Sequence, residues 1–189
     1  MERAVVTGAS GGVGTACVEL LREMGAEVVG VDIAPTSDAD EHLILDLADP
    51  DCGLRVADHL GSRPLDVLVN NAAVGHASLA AETSGEEFDR IIAINLRAPF
   101  LLSTALLPNL REQLGSVVNV SSVHAVATSS PVSAYAASKG GLQALTRALA
   151  LEWGPDVRVN CVLPGAVDTE MLSDGLRRAN KTLESFGAA

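Results

Sequence analysis

Apolar residues come in short bursts along this chain. Six bursts, at 4–7, 28–31, 43–45, 67–69, 117–120 and 157–162, are rich in Val and mostly apolar at successive positions. A strand with one wet face alternates, whereas a run apolar on both faces predicts a strand buried beneath helices on both sides. Between the bursts, 13–24, 53–60, 86–110 and 133–153 repeat their apolar residues three and four apart, which predicts helices. Strands alternating with helices imply a parallel sheet built from right-handed crossovers. Six strands suffice for the doubly wound α/β order 3-2-1-4-5-6. The link 33–42 is the exception. Pro35, Ser37 and the acids Asp38, Asp40 and Glu41 predict an extended crossover without a full helix. No repeat, low-complexity tract or linker breaks the pattern, so the 189 residues read as one domain.

Composition narrows the partners. No burst approaches the roughly 20 apolar residues that span a bilayer. Met1-Glu2-Arg3 leads straight into the first strand, without the basic and apolar segments of a signal peptide, so a cytoplasmic protein with no membrane partner is expected. The formal net charge is -11, with two lysines and eleven arginines, which offers no basic stripe for nucleic acid. Cys17, Cys52 and Cys161 match neither zinc-ligand nor redox spacing. They are expected to be buried, reduced thiols, and no metal is expected.

Chemistry enters at the strand ends. Thr7-Gly8-Ala9-Ser10-Gly11-Gly12-Val13-Gly14 follows the first strand and opens the first helix. Glycines in such a turn let backbone N–H groups approach a phosphate, and the helix N-terminus adds partial positive charge. This placement predicts that Gly8, Ser10, Gly12, Val13 and Gly14 hold a dinucleotide pyrophosphate. Asp32 ends the second strand, where an acid can accept from the ribose hydroxyls and repel a 2′-phosphate. With Gly at position 11, the loop offers that phosphate no cation, and both features favour NAD over NADP. Asp46-Leu47 follows strand three, and Asn71-Ala72 follows strand four, both at the ligand-binding end of such a sheet. Asp46 suits the adenine amino group, while the Asn pair suits a plain turn equally well.

Tyr135 is the single tyrosine, and Lys139 stands four residues later on the last predicted helix. Residues four apart share a helix face, and an ammonium beside a phenol favours the phenolate. That pair can pass a proton, which is general acid–base work. Ser122 ends strand five and opens onto the same crevice, where its hydroxyl can meet a developing oxyanion.

Taken together, these segments resemble the short-chain dehydrogenase/reductase family from Met1 to about Leu172, in the family's usual-length type. The resemblance implies a Rossmann fold and hydride transfer between NAD(H) and a carbonyl or secondary alcohol. Tyr135 would then be the acid/base, Lys139 the ribose ligand that lowers the tyrosine pKa, and Ser122 the carbonyl-positioning group. Asn95, on the long central helix, would hold a relay water. Pro164, Gly165, Val167 and Thr169 would line the nicotinamide. Val74, His76, His124 and Met171 are candidates for the substrate pocket, on loops at the strand ends. A homodimer or homotetramer through the helices 86–110 and 133–153 is implied as well. The chain departs from the family at Ala73, where Gly is usual and a positive φ would strain a methyl group. It also stops at Ala189, short of the rest of the substrate lid and a seventh strand, which leaves 157–162 as an apolar edge. The chain is therefore expected to be incomplete or to pair through that edge. The competing reading is a non-catalytic NAD-binding regulator or a structural subunit.

Overall fold

The computed structural model describes residues 1–35, 38–75, 77–169 and 173. The six strands are β1 (Arg3–Thr7), β2 (Glu27–Asp32), β3 (Glu41–Ile44), β4 (Val67–Asn70), β5 (Ser116–Val120) and β6 (Arg158–Val162). Every pairing is parallel and the order is β3-β2-β1-β4-β5-β6. This is the expected doubly wound, Rossmann-like sheet. Val5 lies between Val29 of β2 and Leu68 of β4, which fixes the central register.

Alternation along the strands divides the core into two layers. Ala4, Val6, Val28 and Val69 pack with Val18 and Leu21 of α1 (Gly12–Glu23). Val5, Val29, Leu68 and Val117 face the other way, towards α2 (Cys52–Leu60), α4 (Ala98–Ala105), α5 (Leu107–Glu112) and α6 (Ser133–Trp153). The central strands are thus covered on both faces. The edge strands are not: β3 and β6 alternate between covered and open positions, with Ile44 and Val162 exposed. No helix bridges β2 to β3 among the described residues, which agrees with the extended link and leaves that face of β3 uncovered. On β6, Arg158 and Asn160 are exposed, so this edge is more polar than its Val content suggested.

The predicted helix 86–110 is three helices instead. Ser84 caps α3 (Gly85–Ile92) with a reciprocal capping box to Glu87. A π-helical turn, Ala93–Arg97, follows, closed by Ala98 N–H to the Ala93 carbonyl. Then come α4 and α5. Pro99 and Pro108 explain the breaks: neither has an N–H to give back to the preceding turn, so the i→i+4 ladder stops at each. Of the three thiols only Cys52 is buried, and Cys17 and Cys161 are half-buried. No described helix is long and apolar enough to cross a membrane.

Candidate active site

The carboxyl ends of the parallel strands gather the chemistry on one edge of the sheet. The glycine loop leaves β1 there. Gly8 has φ +65°, and a Cβ on it would lie 2.8 Å from the Ala72 Cα. A Cβ on Gly14 would run into the Gly8 carbonyl. Both positions therefore demand glycine for the strand and helix to approach this closely. Gly11 caps α1 without a side-chain hydrogen bond, so the first turn of the helix keeps N–H groups for a ligand anion. The Asp32 carboxylate accepts from Ser10 N–H at 3.0 Å and from Ala34 N–H at 3.3 Å. Glycine loop and acid are thus held side by side, and this cradle fits a dinucleotide.

The loop after β4 braces that cradle. Asn71 Nδ2 donates to the carbonyls of Thr7 (3.0 Å) and Gly8 (3.1 Å). Thr7 Oγ1 accepts from the N–H groups of Asn71 and Ala72, both at 3.0 Å. The Asn71 side chain is thus committed to shaping the glycine turn. Ala73 lies outside the positive-φ region, since Leu114 is the one non-glycine residue with positive φ among those described. The methyl group there causes no backbone strain. Asp46 accepts from Ala48 N–H and from Arg90, and Arg97 donates to the Ala48 carbonyl at 2.5 Å. Leu47 is 5% exposed, and its side chain belongs to the core.

Ser122, Tyr135, Lys139 and Asn95 are assembled from the turn after β5, α6 and the π-helical turn; β5 ends at Val120, so Ser122 lies two residues past the strand instead of ending it. Lys139 is 2% exposed, and its Nζ reaches the Val120 carbonyl at 2.7 Å, with the Tyr135 ring centroid 5.7 Å away. Burial pulls the Lys139 ammonium down to about 8. Burial also pushes the Tyr135 phenol above its ordinary value, and hydrogen bonding with Ser122 works against that rise. This corrects the expected direction for the phenol. The lysine charge is engaged by the Val120 carbonyl, and desolvation of Tyr135 prevails. Neighbouring Ser121 turns away and donates to the Lys139 carbonyl at 2.9 Å.

Asn95 is fully buried, and its amide is fully engaged. Oδ1 accepts from Val74 N–H at 2.8 Å; Nδ2 donates to the Val74 carbonyl at 2.9 Å and to Ser138 Oγ at 3.1 Å. Ser138 in turn donates to the Tyr135 carbonyl at 2.7 Å. The side chain therefore ties the β4 loop to α6. Pro99 has no N–H to donate to the Asn95 main-chain carbonyl.

The remaining expected residues sort unevenly. Val123 N–H donates to the Pro164 carbonyl at 3.0 Å, which holds 164–169 beside the site. Val167 is exposed, Gly165 has open space around it, and the Thr169 methyl packs on Gly12. His124 stands edge-on to Tyr135. His76 and Met171 lie outside the described residues. Sequence reasoning missed Thr7, Ser138, Arg90 and Arg97. A polar Thr ending an apolar strand was the one available signal among them. Among the described residues no His, Cys, Asp and Glu side chains gather as a metal site.

The short chain dehydrogenase family model matches residues 2–179. The chain belongs to this family. Carbonyl reductase (NADPH) 2 of Sus scrofa is 38% identical to this short-chain dehydrogenase over 180 residues, covering 89% of the chain and 73% of the relative. A 3-ketoacyl-(acyl-carrier-protein) reductase from Brucella melitensis, solved with NADH, superposes with TM-score 0.84 at 30% identity, covering 91% of the chain and 78% of that one. The aldohexose dehydrogenase of Thermoplasma acidophilum superposes with TM-score 0.88 at 29% identity, covering 99% and 75%. These relatives make the chain an oxidoreductase of the short-chain dehydrogenase type, with a nicotinamide cofactor.

Proposed function

We propose that the chain interconverts a carbonyl and a secondary alcohol with NAD(H), using Tyr135 as acid/base. One observation carries the reading: β5 and α6 bring Ser122, Tyr135 and Lys139 together beside a glycine cradle at the same sheet edge. Gly8–Gly14 and the N-terminus of α1 would hold the pyrophosphate. Asp32 would accept from the ribose hydroxyls, and its charge would oppose a 2′-phosphate. When bound, the nicotinamide supplies or takes up the hydride.

The chain's own residues handle the oxygen and the proton. Ser122 and Tyr135 hold the substrate oxygen. Tyr135 donates its phenol proton as negative charge grows there, and for alcohol oxidation it takes the proton back. A phenol held above its ordinary pKa stays protonated at neutral pH, which suits it to start as the acid in reduction. Lys139, Asn95 and a bound water would restore that proton. The same proposal includes a dimer or tetramer through the helical layer, where Phe100 and Leu151 are exposed.

Two measurements test the reading. Calorimetry should show NADH binding at least tenfold tighter than NADPH. Tyr135→Phe should keep NADH affinity and lose reduction of small ketones by about a thousandfold or more, within reach of what acid–base catalysis contributes. Equal binding of the two cofactors refutes the Asp32 assignment. Near-normal turnover by the Phe variant refutes Tyr135 as the acid.

A further inference from the structure

We propose that Ser121 is a positioning residue: with the Val120 carbonyl it forms a two-point clasp on Lys139, and the clasp sets Tyr135 against Ser122. Its place in turnover rests on the oxidoreductase reading above, while the clasp itself is testable without turnover.

Two consecutive residues at the end of β5 hold the two ends of one lysine. Lys139 Nζ donates to the Val120 carbonyl at 2.7 Å. Ser121 Oγ donates to the Lys139 main-chain carbonyl at 2.9 Å. Hydrogen bonds therefore run both ways, one from the lysine side chain and one to its backbone. Ser121 is buried, and its N–H donates to the Val162 carbonyl at 2.8 Å, so β6 fixes its own position. A second bond reaches α6 about two turns further on, where Asn119 Nδ2 donates to Thr146 Oγ1 at 2.9 Å.

Around these bonds the contact is apolar, with Val117 and Val159 packed among Leu149 and Trp153 of α6. Apolar contacts carry no direction, so they leave a helix free to shift along a strand. Buried hydrogen bonds are directional and costly to leave unmade, so the bonds at Lys139 and Thr146 fix where α6 lies on β5. Tyr135 stands about one turn before Lys139, and Ser122 directly follows Ser121. What holds Lys139 on Ser121 therefore also holds the phenol relative to Ser122. An error of about 1 Å there can cost a reaction about a hundredfold. The lysine itself needs holding, because burial opposes its charge and an ammonium released from Val120 would move towards water. The titratable groups beside it are Tyr135 on its own helix and Cys161 on β6.

The test follows the two lysines of the chain by NMR, isotope-labelled at Cε, with Lys139→Met to assign the signals. In the wild type Lys139 should titrate at about 8. In Ser121→Ala its midpoint should rise towards 10.5, and Ser121→Thr, which keeps the hydroxyl, should restore it. In reduction of small ketones by NADH, Ser121→Ala should lower kcat about tenfold, and Ser121→Thr should recover most of the loss. A serine that only supported the fold would lower the melting temperature and leave both the Lys139 midpoint and the kcat of the folded variant unchanged. An unchanged midpoint or an unchanged kcat in Ser121→Ala overturns the proposal, as does a wild-type midpoint already near 10.5. If Ser121→Ala does not fold, Ser121→Cys, whose thiol is a weak donor, decides by the same two readings. If the wild type reduces no ketone while the titrations run as expected, the clasp stands, and its positioning role falls together with the oxidoreductase reading.

Discussion

Lys139 carries an ammonium at 2% exposure and gives a hydrogen bond of 2.7 Å to the Val120 carbonyl. Its pKa falls from 10.5 to about 8 because burial disfavours the charged form. Below about pH 8 both folded and unfolded chains hold the proton, and the folded state bears the full desolvation penalty. Between about 8 and 10.5 the unfolded chain still binds the proton while the folded chain has released it. Stability therefore rises with pH across that window. The shift corresponds to about 3 kcal/mol, which a Met variant would recover less about 1 kcal/mol for the Val120 carbonyl left without its partner. Lys139→Met should accordingly be more stable than wild type at pH 7 by about 2 kcal/mol in urea titration, and nearly inactive. Its advantage should shrink as pH rises from 8 to 10.5. An advantage constant across that range would mean that the ammonium is solvated. The sequence showed this lysine by its rarity and its spacing from Tyr135. It could not show the Val120 contact, because that partner comes from another element.

At the scale of elements, apolar periodicity located every strand and most helices, but it hid the break in 86–110. The 3.6-residue repeat persists across the π-helical turn, so the pattern of apolar positions looks unbroken. The readable signal was Pro99, four residues after Asn95, and Pro108 after it. The site depends on this break. Asn95 meets Val74 and Ser138 from the turn, and position 99 has no N–H to give the Asn95 carbonyl. Pro99→Ala supplies that N–H and favours a regular helix through the turn. The expected result is an unchanged or slightly higher melting temperature, with kcat lower by about tenfold and NADH affinity kept. Hydrogen exchange gives an independent check, because the Val74 amide donates to Asn95 Oδ1 and should lose protection. Normal kcat with unaltered Val74 protection would show that the turn is held by packing around it. Ser138, Arg90 and Arg97 stayed illegible for a related reason: each acts through a partner that only the folded chain brings near.

The whole sheet separates two tasks between its ends. The carboxyl ends hold the glycine cradle and the cluster of Ser122, Tyr135 and Lys139. The amino ends hold a ladder of charge across β1, β2 and β3. Arg3 pairs with Glu27 at 2.5 Å; Arg63 lies 3.9 Å from Glu27 and 2.5 Å from Glu41; His59 meets Glu41 at 2.8 Å. The sequence registered these residues only as part of a net charge of -11, since the pairs span up to 36 residues. The Arg63 hydrogen bonds pull the Glu41 carboxyl down from 4.5 to about 2, with His59 assisting. A carboxylate whose folded pKa lies below its unfolded value stabilises the fold above the unfolded value. That contribution fades as pH falls from about 4.5 towards 2. Solvent reaches this ladder, so screening cuts its contribution to about 1 kcal/mol. Glu41→Gln should therefore cost about 1 kcal/mol at pH 7, and its stability should fall less steeply than that of wild type below pH 4.5. Raising salt to about 1 M should narrow the difference at pH 7, because exposed pairs are screened over a few ångströms there. Urea titrations at pH 7, 4.5 and 3 measure both effects. Parallel acid limbs for the two proteins would mean that solvent, and not the Arg63 guanidinium, sets the state of Glu41, and that the amino ends of the sheet are held by strand pairing alone.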